Sequence, residues 1–144
     1  MALPEKLDLR IATPERQLFS GKVDKVTVPS TRGYLGILPG HAPLLAELGI
    51  GNISYVVGDS EGFITCTWGF VEVLPDRVIV LAQDAQMAHE IDAARAEQAK
   101  ARAEKRLASK NPDTDFLRAQ LALLRATARL DACRMLQRST HARR

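Results

Sequence analysis

Residues 33–44, which read GYLGILPGHAPL, form the most distinctive stretch of the chain. Three glycines and two prolines surround the apolar residues Leu35, Ile37 and Leu38. Glycine permits backbone angles closed to other residues, and proline fixes φ and removes a hydrogen-bond donor. We therefore predict a strand that enters a sharp, rigid corner and leaves as a second strand. Such a corner can be a structural part of a β domain or a docking edge, and the stretch alone does not decide between them.

Short apolar runs separated by turn residues continue on both sides of the corner, over residues 3–82. Leu7, Leu9 and Ile11 alternate with charged residues, the pattern of a half-buried strand. The turn residues at 58–62 predict a compact turn that joins two strands of a hairpin. Several short strands at this spacing favour an antiparallel β-sandwich or barrel.

After residue 84 the pattern becomes helical. Residues 85–108 are rich in Ala, Glu, Gln, Lys and Arg, which are good helix formers. A second segment, about 113–137, has an apolar face wider than an Ala-rich partner helix can cover. We predict an N-terminal antiparallel β-sandwich over residues 1–84. It is followed by a C-terminal antiparallel two-helix hairpin over residues 85–144, which relies on another surface.

The charge of the chain changes near the same place. Residues 1–94 contain 7 Lys/Arg and 12 Asp/Glu, a net charge of −5, and residues 95–144 contain 13 and 5, a net charge of +8. This asymmetry suggests that the two parts have different partners.

Features of an enzyme or a metal site are missing from the sequence. There is no phosphate-binding loop, no dinucleotide fingerprint and no nucleophile elbow. The two cysteines, Cys66 and Cys133, lie far apart, and the three histidines are scattered. No apolar run approaches the ~20 residues that cross a bilayer. We expect a non-catalytic protein without a metal that is either cytosolic or held at a membrane only through partners.

Three stretches in order resemble the epsilon subunit of F-type, proton-translocating ATP synthases. They are the corner at 33–44, GFVEV at 69–73 followed by VIVLA at 78–82, and IDAARA at 91–96. The resemblance covers essentially the whole chain, and the corner is its most specific part. It implies a β-sandwich followed by a two-helix hairpin, in a non-catalytic subunit of the rotor.

The resemblance also implies the partners. The sandwich would grip the central gamma stalk and rest on the ring of c subunits, at the cytoplasmic face of a bacterial plasma membrane. The hairpin would lie folded on the sandwich or extend to the alpha/beta catalytic head and block ATP hydrolysis. The implied interface residues are Tyr34, Leu35, Leu38, His41 and Trp68.

Two of these residues depart from the family pattern. Tyr34 stands where members commonly have an acid that faces the c ring. Trp68 replaces a glycine that usually precedes Gly69, and we expect it to fill a surface hollow or an interface with gamma.

Some bacterial members bind ATP as a regulatory ligand in the folded hairpin, although no cofactor is required. The matching residues here are Ile91, Asp92, Arg95, Arg125 and Arg129. Asp92 can accept from the adenine amino group or the ribose, and arginines pair with phosphates. Gln86, however, occupies a position that is acidic in the strong binders. The alternative is that these residues form a salt-bridge network within the hairpin.

A nucleic-acid-binding module is the competing function. The first helical segment carries a basic cluster of Lys100, Arg102, Lys105, Arg106 and Lys110, which can neutralise phosphates. Against this function, the hairpin has a single aromatic residue, Phe116, and no nucleic-acid-binding motif. A solvated helix face explains the cluster more simply.

Overall fold

The computed structural model describes residues 2–142 and consists of a β domain followed by two helices. The seven strands are β1 (Leu7–Ala12), β2 (Gln17–Val23), β3 (Lys25–Ser30), β4 (Gly33–Ile37), β5 (Leu44–Val57), β6 (Ser60–Leu74) and β7 (Arg77–Met87). A short 3-10 helix, Ala88–Glu90, leads to α1 (Ala93–Leu107) and α2 (Phe116–Ala142). No helix among these residues has a segment long and apolar enough to cross a membrane.

The strands form one sheet in the order β2-β1-β7-β6-β5-β3-β4. Neighbours are antiparallel except β1 and β7, which are parallel. The sheet folds over on itself, because the rings of Phe19 in β2 and Tyr55 in β5 lie 4.3 Å apart although three strands separate them in the sheet. The predicted β-sandwich is confirmed, with one parallel pair that the sequence did not predict.

The core lies between the two folded halves of the sheet. Leu7, Leu9 and Ile11 are fully buried, as their alternation predicts. Residues from all seven strands join them in one apolar cluster. Burying each such side chain contributes about 1.5–3 kcal/mol, so this cluster is the main source of stability for the domain.

The strands and helices differ from the prediction where the domains meet. Residues 85–87 were predicted to begin the first helix, but they extend β7 and pair with β6 as far as Ile64 and Met87. The sheet hydrogen bonds outweigh the helix preference of these residues. The boundary placed between residues 84 and 85 therefore falls inside β7. Helix α1 starts only after Asp92, whose Oδ1 accepts the Arg95 N–H at 3.2 Å and caps the helix.

Helix α2 lies between α1 and the sandwich. It contacts β5 and β6 on one side and α1 on the other. We call residues 88–92, between β7 and α1, the linker. Phe63, Ala88 and Ala132 form a small buried cluster where the sheet, the linker and α2 meet. The hairpin is thus folded onto the sandwich in this structure.

Candidate functional site

The turn at 38–43, within the corner of residues 33–44, is held by backbone hydrogen bonds. The N–H of Gly40, a residue with φ +87°, donates to Pro75 O at 2.8 Å. The N–H of His41 donates to Leu38 O at 3.1 Å, and its Nδ1 lies 2.7 Å from Ala42 O. The predicted corner between two strands is confirmed, and the His41 ring is engaged with the loop backbone.

The predicted interface residues of the corner lie close together on β4 and the turn after it. Tyr34 and Leu38 are exposed, whereas Leu35 is half-buried against the core. The Tyr34 hydroxyl accepts the Asn52 N–H at 3.1 Å. The register between β3 and β5 shifts in this region, and Tyr34 supplies a partner for the Asn52 N–H. The corner therefore presents an aromatic and an aliphatic side chain to solvent.

Trp68, the fifth predicted interface residue, lies on β6 beside the hairpin. The guanidinium carbon of Arg125 in α2 lies 5.6 Å from the centroid of its ring, a distance typical of a cation–π contact. Trp68 also has φ 49°, and it is the only non-glycine residue with positive φ among residues 2–142.

An exposed apolar face covers the adjacent part of the sheet. Leu45, Phe70 and Leu81 have 69%, 53% and 58% of their surface exposed. Phe70 lies directly opposite Leu81 across β6 and β7. Phe70 and Leu81, together with Trp68, border a broad hollow of about 720 Å³ beside the turn between β1 and β2. We call Leu45, Phe70 and Leu81 the outer apolar face.

The sequence analysis did not single out this face, although the sequence contains a signal for it. Val71 and Val80 point into the core, so alternation turns Phe70 and Leu81 outward. A large apolar residue on the solvent side of two neighbouring strands is a sign of an interface.

Four of the five residues predicted to bind ATP line one pocket. This pocket, of about 480 Å³, lies between the linker and the hairpin and is lined by Ile91, Asp92, Arg95 and Arg129, among others. Arg125 instead lines a neighbouring polar pocket of about 400 Å³, which shares Arg129 with the first. Pockets that bind small molecules commonly have volumes of this order.

The three arginines predicted to bind ATP, Arg95, Arg125 and Arg129, form no ion pair with a carboxylate within the described part of the chain. The alternative of a salt-bridge network through these residues is therefore not observed. Gln86 donates through Nε2 to Glu90 O at 3.2 Å and helps to shape the linker.

The basic residues considered for nucleic acid lie on α1 and, in the case of Lys110, in the loop after it. Lys100 lies 3.9 Å from Glu104, and Arg102 lines the pocket at the linker. Arg106 and Lys110 are exposed to solvent. This arrangement fits a solvated helix face.

Comparisons with known protein families account for nearly all of the chain. Residues 6–88 match the family "ATP synthase, Delta/Epsilon chain, beta-sandwich domain". Residues 89–134 match "ATP synthase, Delta/Epsilon chain, long alpha-helix domain". The comparisons give no support to the nucleic-acid-binding alternative.

Individual relatives agree with the family match. The ATP synthase epsilon chain of Solibacter usitatus is 47% identical over 128 residues, covering 89% of this chain and 96% of the relative. That of Halalkalibacterium halodurans is 45% identical over 126 residues, covering 87% and 95%.

The fold also agrees with a solved structure. A chain in the Euglena gracilis mitochondrial ATP synthase superposes with a TM-score of 0.79 at 18% identity, covering 89% of this chain and 81% of that one. This likeness concerns the fold. Together with the sequence matches, it confirms the resemblance identified from the corner: the chain belongs to the delta/epsilon family of ATP synthase and is a non-catalytic subunit of that complex.

Proposed function

We propose that this chain is a rotor subunit that joins the gamma stalk to the c ring at the cytoplasmic face of a bacterial plasma membrane, and that its hairpin regulates ATP hydrolysis. The outer apolar face carries the first part of the proposal. Leu45, Phe70 and Leu81 leave a large apolar area in water, which a partner subunit would cover. Solved chains of similar fold come from assemblies described as OSCP/F1/c-ring and central stalk/c-ring.

The corner supplies a second contact surface. Tyr34 and Leu38 project from a backbone that is fixed by hydrogen bonds, so little conformational entropy is lost when a partner binds. We assign the corner to the c ring, and the outer apolar face to gamma. Tyr34 makes this an aromatic and not an acidic contact.

The contact between hairpin and sandwich supports the regulatory role. Four of the five buried residues of α2 are alanines, which bury little area, and Leu130 is the fifth. In the first half of α2, Leu117 and Leu124 remain exposed. A small contact area with the sandwich, and apolar residues left exposed, are expected of a helix pair that can leave the sandwich and bind another surface. The charges of −5 and +8 on the two parts favour an acidic destination.

Truncation tests this function. A complex whose chain lacks residues 88–144 should assemble normally and hydrolyse ATP faster than the intact complex. Removal of residues 138–144 alone keeps nearly all of the docked helix and is the matched control. An unchanged hydrolysis rate in the longer truncation would show that the hairpin does not inhibit.

We further propose that the pocket between linker and hairpin takes a nucleotide as a regulatory ligand. Arg95, Arg102 and Arg129 provide charge for phosphates without competing ion pairs. Asp92 retains its second carboxylate oxygen for a ribose or amino group, since Oδ1 caps α1. Calorimetric titration of the purified chain with ATP should show binding that Arg95→Ala weakens about 10-fold or more, the value of one charged hydrogen bond. Arg118→Ala, an exposed arginine on α2, is the control, and a titration without heat would refute the site.

A further inference from the structure

Trp68 has a backbone conformation that an aromatic residue rarely adopts. Its φ of 49° lies in the left-handed region, and the next residue, Gly69, has φ 126°. Such conformations persist only where the surroundings determine them, and they cluster at functional positions. The turn of the backbone at this point places the indole on the hairpin side of β6, against Arg125.

Within residues 2–142, Arg125 has no stronger partner than this ring. Carboxylates of Glu15 and Asp84 line the same pocket, but neither forms an ion pair with Arg125 in the described part of the chain. The nearby Arg16 is occupied by Glu90. The indole face is therefore the specific contact of the Arg125 guanidinium.

Apart from this contact, α2 meets the sandwich through a hydrogen bond and a small apolar cluster. The Asn52 side chain donates through Nδ2 to Ala128 O at 2.9 Å, but its buried Oδ1 has no partner. The buried residues of α2 are four alanines and Leu130, and Met135 and Leu136 pack partly buried against the cluster of Phe63 and Ala88. Because alanine buries little area, we expect one cation–π contact to influence the balance between docked and released states.

We propose that Trp68 and Arg125 form a latch that holds the hairpin on the sandwich without a bound nucleotide. In this proposal Trp68 positions the hairpin through its contact with Arg125. The proposal rests on the proposed function, because the hairpin must be able to leave the sandwich. The contact also withdraws Arg125 from the nucleotide pocket, which the other four predicted residues line.

Hydrogen exchange on the full-length chain in nucleotide-free buffer tests the latch. Arg125→Ala should speed exchange in the part of α2 that faces the sheet by about 2- to 30-fold, the range expected for a lost cation–π contact. Trp68 is the only tryptophan, so its emission reports on the same contact and should change in the variant. Arg118→Ala, which removes an exposed arginine of the same helix, should leave both signals unchanged. Exchange and emission that match the Arg118→Ala variant would overturn the proposal.

A double-variant cycle separates the latch from general damage. Trp68→Leu keeps an apolar side chain at this position but removes the indole face. If the latch exists, Trp68→Leu should speed exchange, and adding Arg125→Ala should cause little further change. Fully additive effects would show that the residues act independently and would overturn the latch.

The outcome is distinguishable from failure of the proposed function. If truncation at residue 88 does not raise hydrolysis but Arg125→Ala still speeds exchange, the latch stands and the inhibitory role fails. If truncation raises hydrolysis but Arg125→Ala changes nothing, the inhibitory role stands and the latch fails.

Discussion

Arg16 and Glu90 form a two-pronged ion pair that ties the turn between β1 and β2 to the linker before α1. Arg16 Nη1 and Nη2 donate to Glu90 Oε2 and Oε1 at 3.1 and 2.9 Å. Glu90 Oε1 also accepts the Met87 N–H at 3.2 Å. One carboxylate thus joins the sandwich to the segment from which the hairpin departs.

The first prediction concerns acid sensitivity of this linker. The Arg16 guanidinium, aided by the Met87 N–H, lowers the pKa of Glu90 below its ordinary value. A carboxyl whose pKa is lowered in the folded state stabilises that state above its unfolded pKa, and the contribution disappears as pH falls through the lowered pKa. Hydrogen-exchange protection of the linker should therefore decrease as the pH drops below about 4.3. Glu90→Gln should make this protection less dependent on pH.

Salt and a second variant control the acid experiment. Because both side chains are exposed, raising the salt concentration should shrink the effect of Glu90→Gln. Glu97→Gln changes an exposed carboxylate of α1 that has no ion pair within residues 2–142, and it should leave the acid profile of the linker as in the wild type. An acid profile unchanged by Glu90→Gln would show that the ion pair does not hold the linker.

The second prediction concerns Gly69, where β6 passes close to β7. A Cβ at this position would lie 2.0 Å from Leu81 O and 2.8 Å from Ala82 Cα, and φ is +126°. Both obstacles are backbone atoms, so Gly69→Ala should lower the free energy of unfolding by about 3 kcal/mol or more, because strand pairing must shift. Gly36→Ala is the matched control, since its Cβ meets nothing within 4 Å. Urea titration would contradict the prediction if both variants unfolded alike.

Local patterns predicted the parts of the fold that are governed by local rules. The corner follows from glycine and proline at fixed positions, and the burial of Leu7 and Leu9 follows from period-two alternation. Strand β2 was not singled out from the sequence, because Gly21 has no side chain in the alternation of Phe19, Gly21 and Val23 toward the core, and Leu18 is buried out of that alternation. The extension of β7 to Met87 was missed because Ala and Met favour helices, and only pairing with β6 overrides that preference.

The residues of the candidate site were predicted from the family resemblance, which also implies Arg129, a residue distant from Asp92 in sequence. Ile91, Asp92 and Arg95 lie in one short stretch, and the structure places them in one pocket. The contact between Trp68 and Arg125 joins a strand to a distant helix, and no local pattern predicts which arginine of α2 faces the ring.

The third prediction concerns Asn52, which is 4% exposed beneath α2. Its Nδ2 donates to Ala128 O, while Oδ1 is buried without a partner. Replacing both polar groups by an apolar shape removes the unpaired acceptor as well as the bond, so Asn52→Leu should change stability by no more than about 1 kcal/mol. Asn52→Asp brings a carboxylate against a carbonyl oxygen and should cost about 3 kcal/mol or more. Equal melting curves for the two variants would contradict this reasoning.

The last prediction tests the outer apolar face as the docking surface for gamma. Leu81 is 58% exposed, so Leu81→Asp should leave the isolated chain folded but place a charge in the proposed interface. Affinity for the rest of the complex, measured by titration of purified parts, should fall about 10- to 30-fold, as for an anchor residue. Leu117→Asp makes the same change at a residue of α2 that is 65% exposed, and the sandwich contact should not respond to it. Wild-type affinity in Leu81→Asp would place the gamma contact elsewhere, because a buried, unpaired carboxylate cannot be accommodated in an apolar interface without loss.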